Sequence, residues 1–158
     1  MREILFRGKR TENGETRWIE GFYAKSGDSH FILIDNGFAV GYVKMKEVIP
    51  ETVGQYTGVT DKNGKKIFEG DIIQYKTKYD VAPIYSYVVY CADTYDYPAF
   101  DLVQHAYETN GLQCACKECL CEVVGNKWDN PELIAELPEQ GDITKIKALK
   151  AELKRRSK

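Results

Sequence analysis

Short runs of alternating apolar and polar residues, broken by Asn-Gly, Gly and Pro, fill most of the chain. "REILFR" (2–7) has the pattern of a strand, and Asn13-Gly14 beyond it is a hairpin turn signal. In "WIEGFYAK" (18–25), Trp18, Glu20, Phe22 and Ala24 alternate with Ile19, Gly21, Tyr23 and Lys25. Both faces carry bulk, which predicts a strand buried on both sides or set in a barrel wall. "HFILID" (30–35) and "FAVGYVKMKEVI" (38–49) extend the series across Asn36-Gly37, and Pro50 ends it. Four strands with tight turns predict a small antiparallel sheet or barrel.

The next stretch, "TVGQYTGVTDKNGKKIFEGDII" (52–73), changes rhythm. "GQYTG" has neither a helical nor a strand period and predicts a structured loop, a rigid corner between two β halves. Asn63-Gly64 centres a turn in which both positions tolerate positive φ. "IFEGDIIQYKT" (67–77) predicts one strand with a bulge at Gly70, and Ile67, Phe68 and Ile72 are candidate core residues. "IYSYVVYCADTY" (84–95) and "AFDLVQHAYET" (99–109) predict two more strands, and "LQCACKECLCEVVG" (112–125) a hairpin or long strand. Asn130, Pro131 and Glu132 then open a short helix over 131–137. Asp142 caps a second helix, with Ile143, Ile146, Leu149 and Leu153 as its apolar seam. The expected fold is mainly β, small antiparallel sheets or SH3-like barrels, with two C-terminal helices. Its expected parts are an N-terminal β subdomain (1–50), a second β subdomain (51–128) and a helical tail (129–158).

Composition adds little except in charge. The net charge of −2 hides an asymmetry. Residues 142–158 hold seven Lys or Arg against Asp142 and Glu152, net +5, while the rest holds 15 Lys or Arg against 22 acidic residues, net −7. An acidic body with a basic tail suggests an interacting C-terminus; a solvated helix end whose cations suit the dipole explains the same charges. The opening "MREILFRGKR" places charges on both sides of a very short apolar run, unlike a signal peptide, and no stretch has the apolar length of a membrane span. The expectation is a soluble cytoplasmic protein, with reduced cysteines and no membrane partner.

Three motif groups together carry a family resemblance: "LFRGKR…NGETRWIEGFY" at the start, "TVGQYTGVTDKNGKKIFEGDII" in the centre and "EVVGNKWDNPELI" near the end. Over about residues 5 to 134 the chain resembles the YopX family of small phage and prophage proteins. The resemblance implies a phage or prophage origin and a mainly β core. It implies no reaction, and no catalytic residue carries over. The tail from 138 and the cysteine run lie outside its pattern.

Few residues are candidates for chemistry. "CACKECLC" holds Cys114, Cys116, Cys119 and Cys121. If Lys117-Glu118 formed a two-residue hairpin turn, all four thiols would share one face, a donor set that suits Zn²⁺. Two CxC arms joined by two residues are a poor zinc spacing, so no cofactor or metal is favoured, with zinc on these four as the alternative. Exposed or half-buried thiols, or an adventitious disulfide, are the plainer explanations, and Cys91 suits core packing. His30 and His105 lie in strand patterns, the latter near Asp101, and suit surface or hydrogen-bonded roles better than catalysis. Glu69 and Asp71 flank Gly70, where Asp71 can cap a turn.

A ligand surface is expected on Gln55, Tyr56 and Thr57 and on Lys62, Lys65 and Lys66. No nucleophile, base and oxyanion set converges in the pattern, so the expected function is non-enzymatic: a phage accessory protein acting as a binding or interaction module. Its expected partners are further copies of itself and a host or phage protein. The alternative is a small nucleic-acid-associated regulator. It would use the basic turn (with Lys76 and Lys78), the basic tail and stacking by Tyr75, Tyr79, Tyr85, Tyr87, Tyr90, Tyr95, Tyr97 and Tyr107.

Overall fold

The computed structural model describes residues 3–35, 43–91, 99–103 and 110–135. The chain divides into two compact units, Met1–Gly58 and Val59–Lys158.

In the first unit, strands β1 (Phe6–Glu12), β2 (Glu15–Ser26), β3 (Ser29–Asp35) and β4 (Val43–Val48) precede a 3-10 turn at Pro50–Thr52 and strand β5 (Gly54–Thr60). They lie in the order β4-β3-β2-β1-β5, and every pairing is antiparallel. Asn13 and Gly14 both take positive φ (55° and 81°), as a tight two-residue hairpin requires, and Glu12 faces Glu15 across it. Ile32 and Val48 are buried. The Arg7 guanidinium lies 4.5 Å from the Trp18 ring centre, a cation over an aromatic face. On one face Phe22, Leu33 and Met45 stand opposite one another on β2, β3 and β4.

The expected barrel does not close. Past the end of β4, the Ile49 amide donates to the Lys9 carbonyl at 2.8 Å, so the sheet coils toward β1. The β4 ladder itself is made with β3, over six facing pairs, and the result is a coiled open sheet. "GQYTG", expected as a loop, is part of strand β5. There Phe6 pairs with Gln55 and Arg7 with Gly54. Its two glycines obscured the alternation that burial makes plain, with Gly54 and Tyr56 buried and Gln55 and Thr57 half-buried.

The second unit holds the end of β5, then β6 (Lys66–Phe68), β7 (Asp71–Tyr75), β8 (Ile84–Cys91), β9 (Ala99–Leu102), helix α1 (Gly111–Lys117), β10 (Glu122–Asn126) and a 3-10 turn at Pro131–Ile134. A four-stranded antiparallel sheet runs β10-β7-β8-β9. Both of its faces are covered, so adjacent residues go to different cores. Ile73, Val88 and Leu102 join Ile67, Leu112, Ala115, Cys121 and Val123 on the α1 side. Ile72, Tyr87, Val89 and Val103 pack on the other, with Ile134 of the 3-10 turn. Burial on both faces explains the apolar run Tyr87, Val88 and Val89 in β8, which ends at the exposed Tyr90.

Three expectations change here. The predicted strand 67–77 is two strands, β6 and β7, separated by a turn at Glu69-Gly70. The predicted helix 131–137 is a 3-10 turn at Pro131–Ile134, while the second predicted helix lies outside the described residues. The cysteine segment, predicted as strand–turn–strand, is helix α1 and the turn after it. The Asn110 side chain accepts from the Gln113 amide at 2.8 Å. The buried Asp101 carboxylate accepts from the Gly111 and Leu112 amides at 2.8 and 3.3 Å. Two caps and the burial of Leu112 and Ala115 outweigh the weak strand pattern of the CxC repeats. With the hairpin goes the register that would have set four thiols on one face.

Candidate binding groove at the signature turn

The central motif is held by its own acidic residues. Asp61 is buried at the head of the turn. Its Oδ1 accepts from the amides of Asn63 (2.8 Å) and Lys65 (2.9 Å), and its Oδ2 accepts from Val123 of β10 (3.1 Å). The Lys62 amide donates to the Cys121 carbonyl at 3.0 Å, a second tie from the turn to the chain entering β10. Burial pushes the Asp61 carboxyl up, but the three amide donors and the Lys65 charge outweigh it and hold it below the ordinary carboxylate value. Asp71 closes the next turn by accepting from the Phe68 amide at 2.8 Å, the turn-capping role expected of it. Gly64 and Gly70 sit at φ +80° and +81°, and Ile67, Phe68 and Ile72 are all buried, as the pattern predicts.

This frame borders a groove of about 370 Å³. Lys62 comes from the turn, Tyr75 and Lys76 from the end of β7, Glu122 from the start of β10, and Cys119 and Leu120 from the turn after α1. Lys62 and Glu122 pair at 2.5 Å across one side. The Lys76 ammonium donates to the Val81 carbonyl at 3.0 Å. Leu120 stands out: it lies at φ +50°, a region bulky residues avoid, and its side chain is 65% exposed. The geometry suits holding a ligand segment with one apolar contact flanked by both signs of charge.

The candidate residues scatter. Tyr56 is buried, with its amide donating to the Leu5 carbonyl at 2.8 Å. Gln55 and Thr57 are half-buried in the same strand. In the second unit Lys62 and Lys65 are exposed, Lys66 is half-buried in β6, and of the three Lys62 borders the groove. Of the tyrosines, Tyr79, Tyr85 and Tyr90 are exposed and Tyr87 is buried. Tyr75 lines the groove, and Tyr95, Tyr97 and Tyr107 lie outside the described residues. The Tyr23 hydroxyl meets His30 Nδ1 at 3.0 Å; His105 lies outside the described residues.

Among the described residues, no group of three or more His, Cys, Asp or Glu is placed to hold a metal ion. The Cys116 and Cys121 sulfurs approach to 3.0 Å. Their contact favours a Cys121 thiolate accepting from the Cys116 thiol, which lowers Cys121 against the opposing effects of burial and Asp61. It raises Cys116, and burial raises it further. Burial and the neighbouring Glu118 push the Cys119 thiol up. Sequence reasoning missed Leu120 and Glu122. Asn110 ahead of "GLQCACK" was the available signal for α1, and through α1 for the turn that presents Leu120.

Fold and groove define an antiparallel β protein of two units, with a small concave surface framed by its central motif. The chain belongs to the YopX family: the family model described as YopX protein matches residues 5–135. Among solved structures it is similar to the crystal structure of protein EF1440 from Enterococcus faecalis, with a TM-score of 0.49 and 21% identity over 83% of this chain and 97% of that one. No curated protein matches the chain. Among the described residues, no helix is long and apolar enough to cross a membrane.

Proposed function

We propose that the chain is a non-enzymatic binding module of phage or prophage origin that captures a segment of a host or phage protein in the groove beside its central turn. Assembly into homo-oligomers in the host cytoplasm belongs to the same reading. The observation that carries it is Leu120. A bulky residue at φ +50° costs about 1–2 kcal/mol relative to an ordinary backbone conformation. The cost is borne while the side chain gains little burial. The left-handed turn closes the chain after α1 through the Cys121 amide on the Ala115 carbonyl, but it leaves the Leu120 side chain itself uncovered beside the groove, an apolar contact that a partner would bury. Paired charges at Lys62 and Glu122 fix the groove's side, and Tyr75 adds an aromatic wall.

The test is capture from bacterial lysate, with and without nuclease, by the wild type and by Leu120→Gly. Glycine relieves the backbone strain, so the variant is expected to unfold at the same or a higher temperature while losing the captured protein. Equal capture by both removes Leu120 from the binding surface. Capture that disappears with nuclease replaces this reading with the nucleic-acid-associated one, to which the exposed Lys62 and Lys65 would contribute.

A further inference from the structure

The cysteine run has a use that neither the groove nor the family accounts for. Cys116 is the next-to-last residue of α1, and Cys121 immediately precedes β10. After the helix the Glu118 amide donates to the Cys114 carbonyl at 2.9 Å, Leu120 takes its left-handed conformation, and the Cys121 amide returns to the Ala115 carbonyl at 3.0 Å. That return folds Cys121 back beside Cys116, sulfur to sulfur at 3.0 Å. Both ends are fixed. Ala115 is buried in the core under α1, and the Cys121 carbonyl accepts from the Lys62 amide. Cys121 is fully buried, whereas Cys116 is half-buried and packs against the same core. Cys91, by contrast, packs against the core on the other face of the sheet.

We propose that Cys116 and Cys121 form a dithiol site that reduces small-molecule disulfides and closes into an intramolecular disulfide. Cys116, the more accessible sulfur, passes its proton to the neighbouring Cys121 sulfur and attacks one sulfur of the external disulfide. A Cys116–small-molecule bond forms, the external S–S bond breaks, and the first small thiolate leaves and takes up a proton. Cys121 then gives the proton received from Cys116 to solvent and attacks the Cys116 sulfur as the thiolate, forming the Cys116–Cys121 bond and expelling the second small thiolate, which takes up a proton. Two electrons pass from the protein to the external disulfide, and two small thiols are released. Lys62 favours the Cys121 thiolate, while the Asp61 carboxylate opposes it. A dithiol reductant reverses the sequence.

The probe is glutathione disulfide added to the reduced, full-length protein, read by intact mass and by peptide mapping. Trypsin cuts after Lys117 and puts Cys116 and Cys121 on different peptides. Wild type is expected to lose two hydrogens and two of its five free thiols, with the peptides joined through Cys116 and Cys121. The link is expected to persist in the Cys114→Ser/Cys119→Ser double variant. In Cys121→Ser the second step is blocked, so glutathione is expected to stay attached to Cys116. A wild-type link that maps to another pair, or no loss of thiols under oxidant, overturns the proposal. Fragmentation of the joined wild-type peptides, which separates Cys116 from Cys91 and Cys114 and Cys121 from Cys119, decides it even where a variant fails to fold.

Discussion

Gly64 and Gly70 share a backbone conformation and differ in what surrounds them. A Cβ on Gly64 would meet nothing within 4 Å, whereas one on Gly70 would lie 2.4 Å from the Trp128 ring. Gly64→Ala is therefore expected to cost about 1 kcal/mol, from φ strain alone. Gly70→Ala adds a collision with an aromatic ring in a packed site, and about 3 kcal/mol or more is expected. Urea denaturation of both variants checks the ranking. Adding Trp128→Leu to Gly70→Ala should recover part of the loss, because the two residues are in contact. Equal costs at the two glycines would mean that Trp128 yields freely. Sequence alone predicts the turn at Gly64, since Asn-Gly fixes it locally. The demand on Gly70 is invisible there, because the ring comes from a residue far along the chain.

At the scale of elements, most strands and the Asn-Gly turns were legible, while β5, the break between β6 and β7 and the helix α1 were not. The apolar run in β8 reports burial directly, whereas bulk on both faces of "WIEGFYAK" does not, since Phe22 is 59% exposed and of those eight residues Gly21 alone is buried. Helix α1 in turn depends on Asp101, a buried carboxylate contributed by β9. No local pattern announces that cap, so the CxC repeats suggest a strand period where the structure has a helix. Asp61 is a joint of the same kind, tying its turn to β10. Folding holds its carboxyl below the ordinary value of 3.8, so the unfolded chain takes up this proton more readily. The stability it contributes is complete above the unfolded pKa and is lost as pH falls through the folded one. Urea midpoints are expected to fall as pH drops below about 5, and to fall less in Asp61→Asn. That variant should also be weaker at neutral pH by about 1–3 kcal/mol, since the buried Val123 amide loses its charged acceptor. An acid slope identical to wild type would exclude Asp61 as its source.

For the molecule as a whole, mainly β architecture follows from the dense strand and turn signals, and the family match to residues 5–135 agrees with the three motifs that carry the resemblance. Barrel closure was not legible, because it depends on whether the sheet's ends pair, a long-range matter that alternation does not record. Beyond residue 135 the sequence still makes a distinct demand. Ile143, Ile146, Leu149 and Leu153 form one narrow apolar seam in a segment of net charge +5, and this stretch lies outside the described residues. A lone helix of about fifteen residues is marginal in water, so such a seam needs a surface to cover it. The segment falls past the family match and behind the breakers Pro138 and Gly141, which favours contact with a second copy. Truncation after Leu137 is then expected to leave the strand-type circular dichroism spectrum intact and to lower the mass seen by sedimentation. An unchanged mass would take the tail out of assembly. A loss of DNA or RNA affinity in the same truncated chain, with a shallower salt dependence, would assign the tail's cations to nucleic acid instead.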